Sequence, residues 1–166
     1  MIADAELQEL AVRAGQALLA RGLHLVTAES CTGGFLAKSL TDIPGSSRWF
    51  ECGYVTYSNQ AKIRDLGVES QTLARHGAVS EATAREMAAG ALRVTGAEIA
   101  LGVTGIAGPD GALPEKPVGT VWFSSALRAA AAVEVAAERM HFPGSRDEVR
   151  RLAVAHALKM ILMLAR

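Results

Sequence analysis

Apolar and polar positions along this chain follow two periods that take turns. Leu7, Leu10, Ala11, Ala14, Leu18 and Leu19 recur at helical spacing ahead of Gly22, which predicts a first amphipathic helix. Leu23 to Ala28 is a short apolar run and predicts a buried strand. Helical spacing returns from Gly34 to Thr41 and stops at Ile43-Pro44-Gly45. Ser46, Ser47, Arg48 and Trp49 read as a polar loop with an aromatic anchor. Gly53 to Tyr57 predicts a second strand, and Ser58 caps a short helix, Gln60 to Leu66, that ends at Gly67. Ser70 to His76 reads as another helical turn. Ser80 stands as an N-cap before Glu81, and that helix runs to Val94 with Gly96 as its stop. Ile99 to Val103 predicts a third strand and Thr104 to Gly111 a glycine-rich loop. Val118 to Ala126 and Val133 to His141 predict a hairpin joined by Leu127 to Ala131. Ser145-Arg146-Asp147-Glu148 matches a capping box for a last helix, Arg146 to Leu164.

Helices alternating with strands predict one α/β domain over residues 1–166, a mixed sheet with helices on both faces. Ligands in such sheets sit beyond the carboxyl ends of the strands. The polar turns after Ala28, Tyr57 and Val103 all lie at such ends.

Composition narrows the function. Half of the 166 residues are apolar, enough for a substantial core. Formal net charge is zero, so there is no electrostatic footprint for nucleic acid or a membrane surface. No apolar run approaches the length of a bilayer span. The two cysteines, Cys31 and Cys52, form neither a disulfide framework nor a paired zinc spacing. Met1 to Glu6 carries acid and no basic n-region. A reduced, cytoplasmic protein is expected.

The densest chemistry lies between Val26 and Phe35. A strand enters, Thr27, Glu29, Ser30, Cys31 and Thr32 form a polar cluster, and Gly33-Gly34 opens a helix. Such a turn sets a hydroxyl and a thiol beside backbone N–H groups that suit an anion or a developing oxyanion. On shape alone, a purely structural strand–turn–helix joint looks the same. The four histidines, His24, His76, His141 and His156, have no metal-ligand spacing, and neither a metal nor another cofactor is expected. Thr104 to Gly111 is neither a Walker loop nor a dinucleotide fingerprint, although its backbone can approach a ligand closely. Lysine occurs only at Lys38, Lys62, Lys116 and Lys159. A serine nucleophile needs a base, and a lysine of lowered pKa serves where histidine is absent. Ser30, Tyr57 and Lys62 form a workable set if the first two strand ends are neighbours, with Tyr57 relaying the proton between the other two. Cys31 is the rival nucleophile in the same turn.

Thr27-Ala-Glu-Ser-Cys-Thr-Gly-Gly34 resembles the opening motif of the CinA C-terminal domain family, the nicotinamide-nucleotide amidases. Further blocks resemble that family in order: Gly53-Tyr-Val-Thr-Tyr-Ser-Asn59 with Lys62, then Gly77-Ala-Val-Ser-Glu81. Thr104-Gly-Ile-Ala-Gly-Pro-Asp-Gly111 with Lys116-Pro-Val-Gly-Thr-Val121 follows, and Phe142-Pro-Gly-Ser-Arg146 with Val149-Arg150 closes the series. Larger family members carry a further N-terminal domain, and this chain looks like the stand-alone amidase. The resemblance implies hydrolysis of the carboxamide of nicotinamide mononucleotide to nicotinate mononucleotide and ammonia. It matches the nucleophile to Ser30 and the assisting tyrosine and lysine to Tyr57 and Lys62. N–H groups around Thr32 to Gly34 are expected to hold the oxyanion. Glu29, Cys31, Thr32, Gly33 and Gly34 on one side, with Thr104, Gly105, Gly108, Lys116 and Arg146 on the other, are expected to line the substrate. A homodimer is expected from the resemblance and an alanine-rich apolar surface. The alternative function is a module that binds a pyridine nucleotide without cleaving it.

Overall fold

The computed structural model describes residues 2–129 and 132–166. Five strands form one sheet: β1 (Leu25–Glu29), β2 (Phe50–Val55), β3 (Ile99–Gly105), β4 (Thr120–Arg128) and β5 (Val133–His141). Their order across the sheet is β2-β1-β3-β4-β5. β2, β1 and β3 run parallel, whereas β4 is antiparallel to both β3 and β5. The sheet is therefore mixed, and β5 ends on the same side as β1, β2 and β3.

The helices are α1 (Asp4–Arg21), α2 (Phe35–Thr41), α3 (Asn59–Leu66), α4 (Ser70–His76), α5 (Glu81–Val94) and α6 (Arg146–Leu164). Strand alternation sorts them into two layers. Leu25, Leu101, Val103 and Phe123 point to one face and pack against α1, α2 and α6. Val26, Ala28, Ala100 and Ala126 point to the other and pack against α3, α4 and α5. β1 is buried at every position, as expected of a parallel strand covered on both faces. Among the described residues no helix is long and apolar enough to cross a membrane.

The α/β class, the mixed sheet and the two helical layers follow the hydrophobic pattern. So does α6, whose Ser145 capping box is complete. Four strands differ in their limits because a strand ends where its pairing ends, and β1 runs from Leu25 to Glu29 rather than from Leu23 to Ala28. β2 starts at Phe50 and stops at Val55, opposite Glu29, so Tyr57 lies beyond the strand. β3 continues through Thr104 to Gly105 because β4 pairs with it as far as Val121, which shortens the glycine-rich loop. β4 starts at Thr120 rather than Val118 and takes in Leu127 and Arg128, both paired to β5. Residues 130 and 131 of the expected connection lie outside the described residues.

Candidate active site

Parallel, nearly in-register pairing of β1 with β2 makes their carboxyl ends neighbours, with Glu29 opposite Val55 and the Thr56 N–H donating to the Glu29 carbonyl. Ser30 leaves the end of β1, its N–H donating to the Val103 carbonyl of β3. Lys62 rises from α3, which Ser58 caps through the Ala61 N–H. These constraints bring Lys62 Nζ to 3.0 Å from Ser30 Oγ, with Lys62 fully buried. The ammonium nitrogen also meets the Thr56 carbonyl at 2.7 Å and the Tyr57 carbonyl at 3.3 Å. Neutral lysine has two N–H donors and one lone pair. Two carbonyls and one hydroxyl match that set, so the neutral amine can accept the Ser30 proton without breaking either carbonyl contact. Burial pushes the Lys62 pKa down from 10.5 to about 8. Among the described residues no carboxylate forms an ion pair with it to oppose the shift.

Cys31 has a different environment. It is almost fully buried, and burial pushes its thiol up to about 12. A thiol is nucleophilic as thiolate, and at neutral pH almost none forms here. Ser30, beside the buried amine, is the better nucleophile of the two.

The turn itself is built from opposed constraints. Gly33 and Gly34 adopt φ of 60° and 88°, the left-handed region where a side chain is strained. The Gly33 N–H donates to the Ser30 carbonyl, and the Gly34 N–H donates to Glu29 Oε2 at 3.0 Å. Glu29 also accepts from Leu36 and Ala37, so its buried carboxylate caps the first turn of α2. Glu29 is thereby turned away from substrate, because β1 alternation points it to the α2 face. Two of the N–H groups expected to hold an oxyanion are occupied, Gly33 by the Ser30 carbonyl and Gly34 by Glu29. The N–H groups of Cys31 and Thr32 have no acceptor among the described residues.

Glu29→Gln would set an amide NH2 against at least one of the three backbone donors. A loss of about 2–4 kcal/mol of stability is expected, from buried donors left unpaired. Urea unfolding measures it, and a variant as stable as wild type would remove Glu29 as the anchor of α2.

In front of Ser30 lies a cleft of ≈250 Å³ lined by Ser30, Cys31, Tyr57 and Arg146, by Ala78 and Val79, and by Thr104 to Gly108, Asp110 and Gly111. Arg146 closes its mouth, donating to the Gly108 carbonyl at 2.7 Å and the Tyr57 hydroxyl at 2.8 Å. Tyr57 is more than half exposed and its hydroxyl faces Arg146. It does not stand between Ser30 and Lys62, whose direct contact leaves no room for a relay. The Thr104 hydroxyl donates to the Ala78 carbonyl and so holds the loop before α5 against β3. Gly105 lies where a Cβ would be 2.7 Å from the Thr120 carbonyl. Beyond it, the N–H groups of Ala107, Gly108, Asp110 and Gly111 have no acceptor among the described residues. Lys116 sits on the rim, donating to the His76 carbonyl at 3.0 Å, outside the cleft lining. Ala78, Val79, Ile106, Ala107, Asp110 and Gly111 join the lining without having been singled out one by one. The Gly77 to Glu81 motif carried the signal for Ala78 and Val79, and the Thr104 to Gly111 motif the signal for the other four.

Among the described residues no three His, Cys, Asp or Glu side chains converge as metal ligands. A larger hollow, ≈570 Å³, lies beside α1 and α2 away from Ser30, and its charged side chains pair with one another.

The chain's residues 7–165 match the CinA C-terminal domain family. A curated relative from Escherichia coli, named nicotinamide-nucleotide amidohydrolase PncC, is 56% identical over 95% of this chain and 94% of its own. A Pseudomonas putida relative of the same name is 48% identical over 93% of this chain and 94% of its own. Among solved structures, the competence/damage inducible protein CihA from Agrobacterium tumefaciens superposes with a TM-score of 0.92. It is 44% identical and covers 97% of this chain and 96% of that one.

Proposed function

Because the chain belongs to the CinA C-terminal domain family, we propose that it hydrolyses the carboxamide of nicotinamide mononucleotide through Ser30 and Lys62. One observation carries the mechanism: a fully buried lysine without an acid partner, its amine 3.0 Å from a serine hydroxyl that lines a cleft. Neutral Lys62 takes the Ser30 proton as Oγ attacks the carboxamide carbon. Negative charge moves to the carbonyl oxygen, which meets the free N–H groups of Cys31 and Thr32. Lys62 then returns the proton to the departing nitrogen, the C–N bond breaks and ammonia leaves. Water attacks the acyl-serine with Lys62 again as base, releasing nicotinate mononucleotide. Tyr57 acts at one remove: its carbonyl helps seat Lys62, and its hydroxyl orients Arg146.

The phosphate is assigned to the mouth of the cleft, where Arg146 and the free N–H groups of Ala107 to Gly111 supply donors. Lys116 contributes charge at the rim only. Nicotinamide riboside, lacking the phosphate, is expected to bind at least tenfold more weakly than the mononucleotide, about 1.4 kcal/mol. Equal affinities in calorimetry would remove the phosphate from the site. A homodimer in a reducing cytoplasm belongs to the same proposal, in keeping with two unbridged thiols, Cys31 and Cys52.

Incubation with nicotinamide mononucleotide and assay of ammonia tests the function. Stoichiometric ammonia and nicotinate mononucleotide are expected. Tight binding without ammonia would make the protein a binding module.

A further inference from the structure

α6 brings two arginines towards the site, four residues apart and so on one helix face. Arg146 reaches the cleft mouth, whereas Arg150 goes behind the Ser30 turn. Its Nη2 donates to the Thr32 carbonyl at 2.8 Å, and its guanidinium lies 5.8 Å from the centre of the Phe35 ring. Its Nε is buried with no acceptor. Among the described residues no carboxylate pairs with it, although neighbouring Arg151 pairs with both Asp4 and Asp147. A buried N–H without an acceptor and a cation near a helix N-terminus both cost stability. An arginine kept only for structure would be placed as Arg151 is.

Arg150 holds the Thr32 carbonyl, the far side of the turn, where the Phe35 N–H also donates at 3.1 Å. Gly33 N–H ties the turn to Ser30, and Gly34 N–H ties it to Glu29. The peptides between carry the N–H groups of Cys31 and Thr32. The Thr32 carbonyl belongs to the next peptide, and its anchoring limits how far the Thr32 N–H can tilt. The unpaired guanidinium also stands behind the place where negative charge develops.

We infer that Arg150 is a positioning residue for acyl transfer: it holds the Ser30–Gly34 turn with the Cys31 and Thr32 N–H groups aimed at the oxyanion, and lends that oxyanion an unpaired positive charge. The inference rests on the acyl-transfer reading above.

Two assays on Arg150→Lys and Arg150→Ala separate the inference from that reading. With nicotinamide mononucleotide, kcat is expected to fall about 10- to 100-fold for Arg150→Ala, the scale of a small misplacement of reacting groups. KM should stay within about threefold, because Arg150 does not touch the cleft. Arg150→Lys should recover part of kcat, since charge is kept and the planar fork is lost. The second assay follows phosphonylation of Ser30 by a fluorophosphonate, read by intact mass. There the Oγ–P bond forms, the P–F bond breaks, fluoride leaves and the serine proton passes to Lys62. The phosphonyl oxygen takes the oxyanion's place, so labelling should slow by the same factor as kcat. Wild-type labelling and turnover in both variants, or a loss confined to KM, overturns the inference and leaves the acyl-transfer reading standing. A wild-type protein that neither labels at Ser30 nor releases ammonia overturns both. Should Arg150→Ala melt below the assay temperature, Arg150→Lys carries the same comparison.

Discussion

Lys62→Arg is expected to lower single-turnover hydrolysis of nicotinamide mononucleotide by about 10²–10⁴-fold, the contribution of a positioned general base. Arginine keeps the charge but does not release its proton at any working pH. If Lys62 served only to attract the substrate phosphate, arginine would substitute well. Its burial and its three short contacts to Ser30, Thr56 and Tyr57 argue against that role. Wild-type rate should rise with pH through about 8, where the amine becomes neutral. The gain between pH 7 and the plateau should be about tenfold. The same shift sets a stability trend. Below pH 8 the lysine is charged in both states, and the native state carries the burial penalty, up to about 3 kcal/mol. That penalty fades as pH rises from about 8 towards 10.5, where the unfolded chain also loses the proton. Lys62→Met should therefore melt highest relative to wild type near pH 7 and lose that advantage towards pH 10, while remaining inactive. An arginine variant with most of the wild-type rate would remove Lys62 as the base.

Ser30→Ala should cost about four to six orders of magnitude in kcat, as when a nucleophile that acts as a unit with its base is removed. The fold should survive, because Ser30 contributes its backbone, not its hydroxyl, to the turn. Cys31→Ser is expected to stay within about fivefold of wild type, since the change is small in volume and the thiol is not ionised. Rates for both variants with nicotinamide mononucleotide decide between the two neighbours. A dead Cys31→Ser beside an active Ser30→Ala would reverse the assignment.

The periodicities carried the layers, the strands and most helix limits, because burial on two faces of a sheet leaves alternation in the chain itself. The Ser30–Lys62 contact was legible only as chemistry. That the two could meet depended on the parallel pairing of β1 with β2, and pairing partners leave no mark on either strand. Glu29 was read as a substrate contact from its place in a polar motif. Alternation along β1 puts Leu25, Thr27 and Glu29 on the α2 face, so the signal was present but not used. Tyr57 is misleading for a related reason. Its carbonyl, which any residue would supply, faces Lys62, and its hydroxyl faces Arg146. Arg150 carried two clues, its place in the closing motif block and its four-residue spacing from Arg146. No pattern in the chain predicts that a carbonyl 118 residues earlier would need it.

The central claim is that Ser30 carries the acyl group. Rapid acid quench of wild-type protein mixed with nicotinamide mononucleotide, followed by peptide mapping, tests it most directly. Above pH 8, where Lys62 is neutral, the account predicts a nicotinate-mononucleotide acyl adduct on the peptide carrying Ser30, localised to its hydroxyl and absent from Ser30→Ala. Ammonia released at full rate with the adduct on Cys31, or by Ser30→Ala itself, would contradict it.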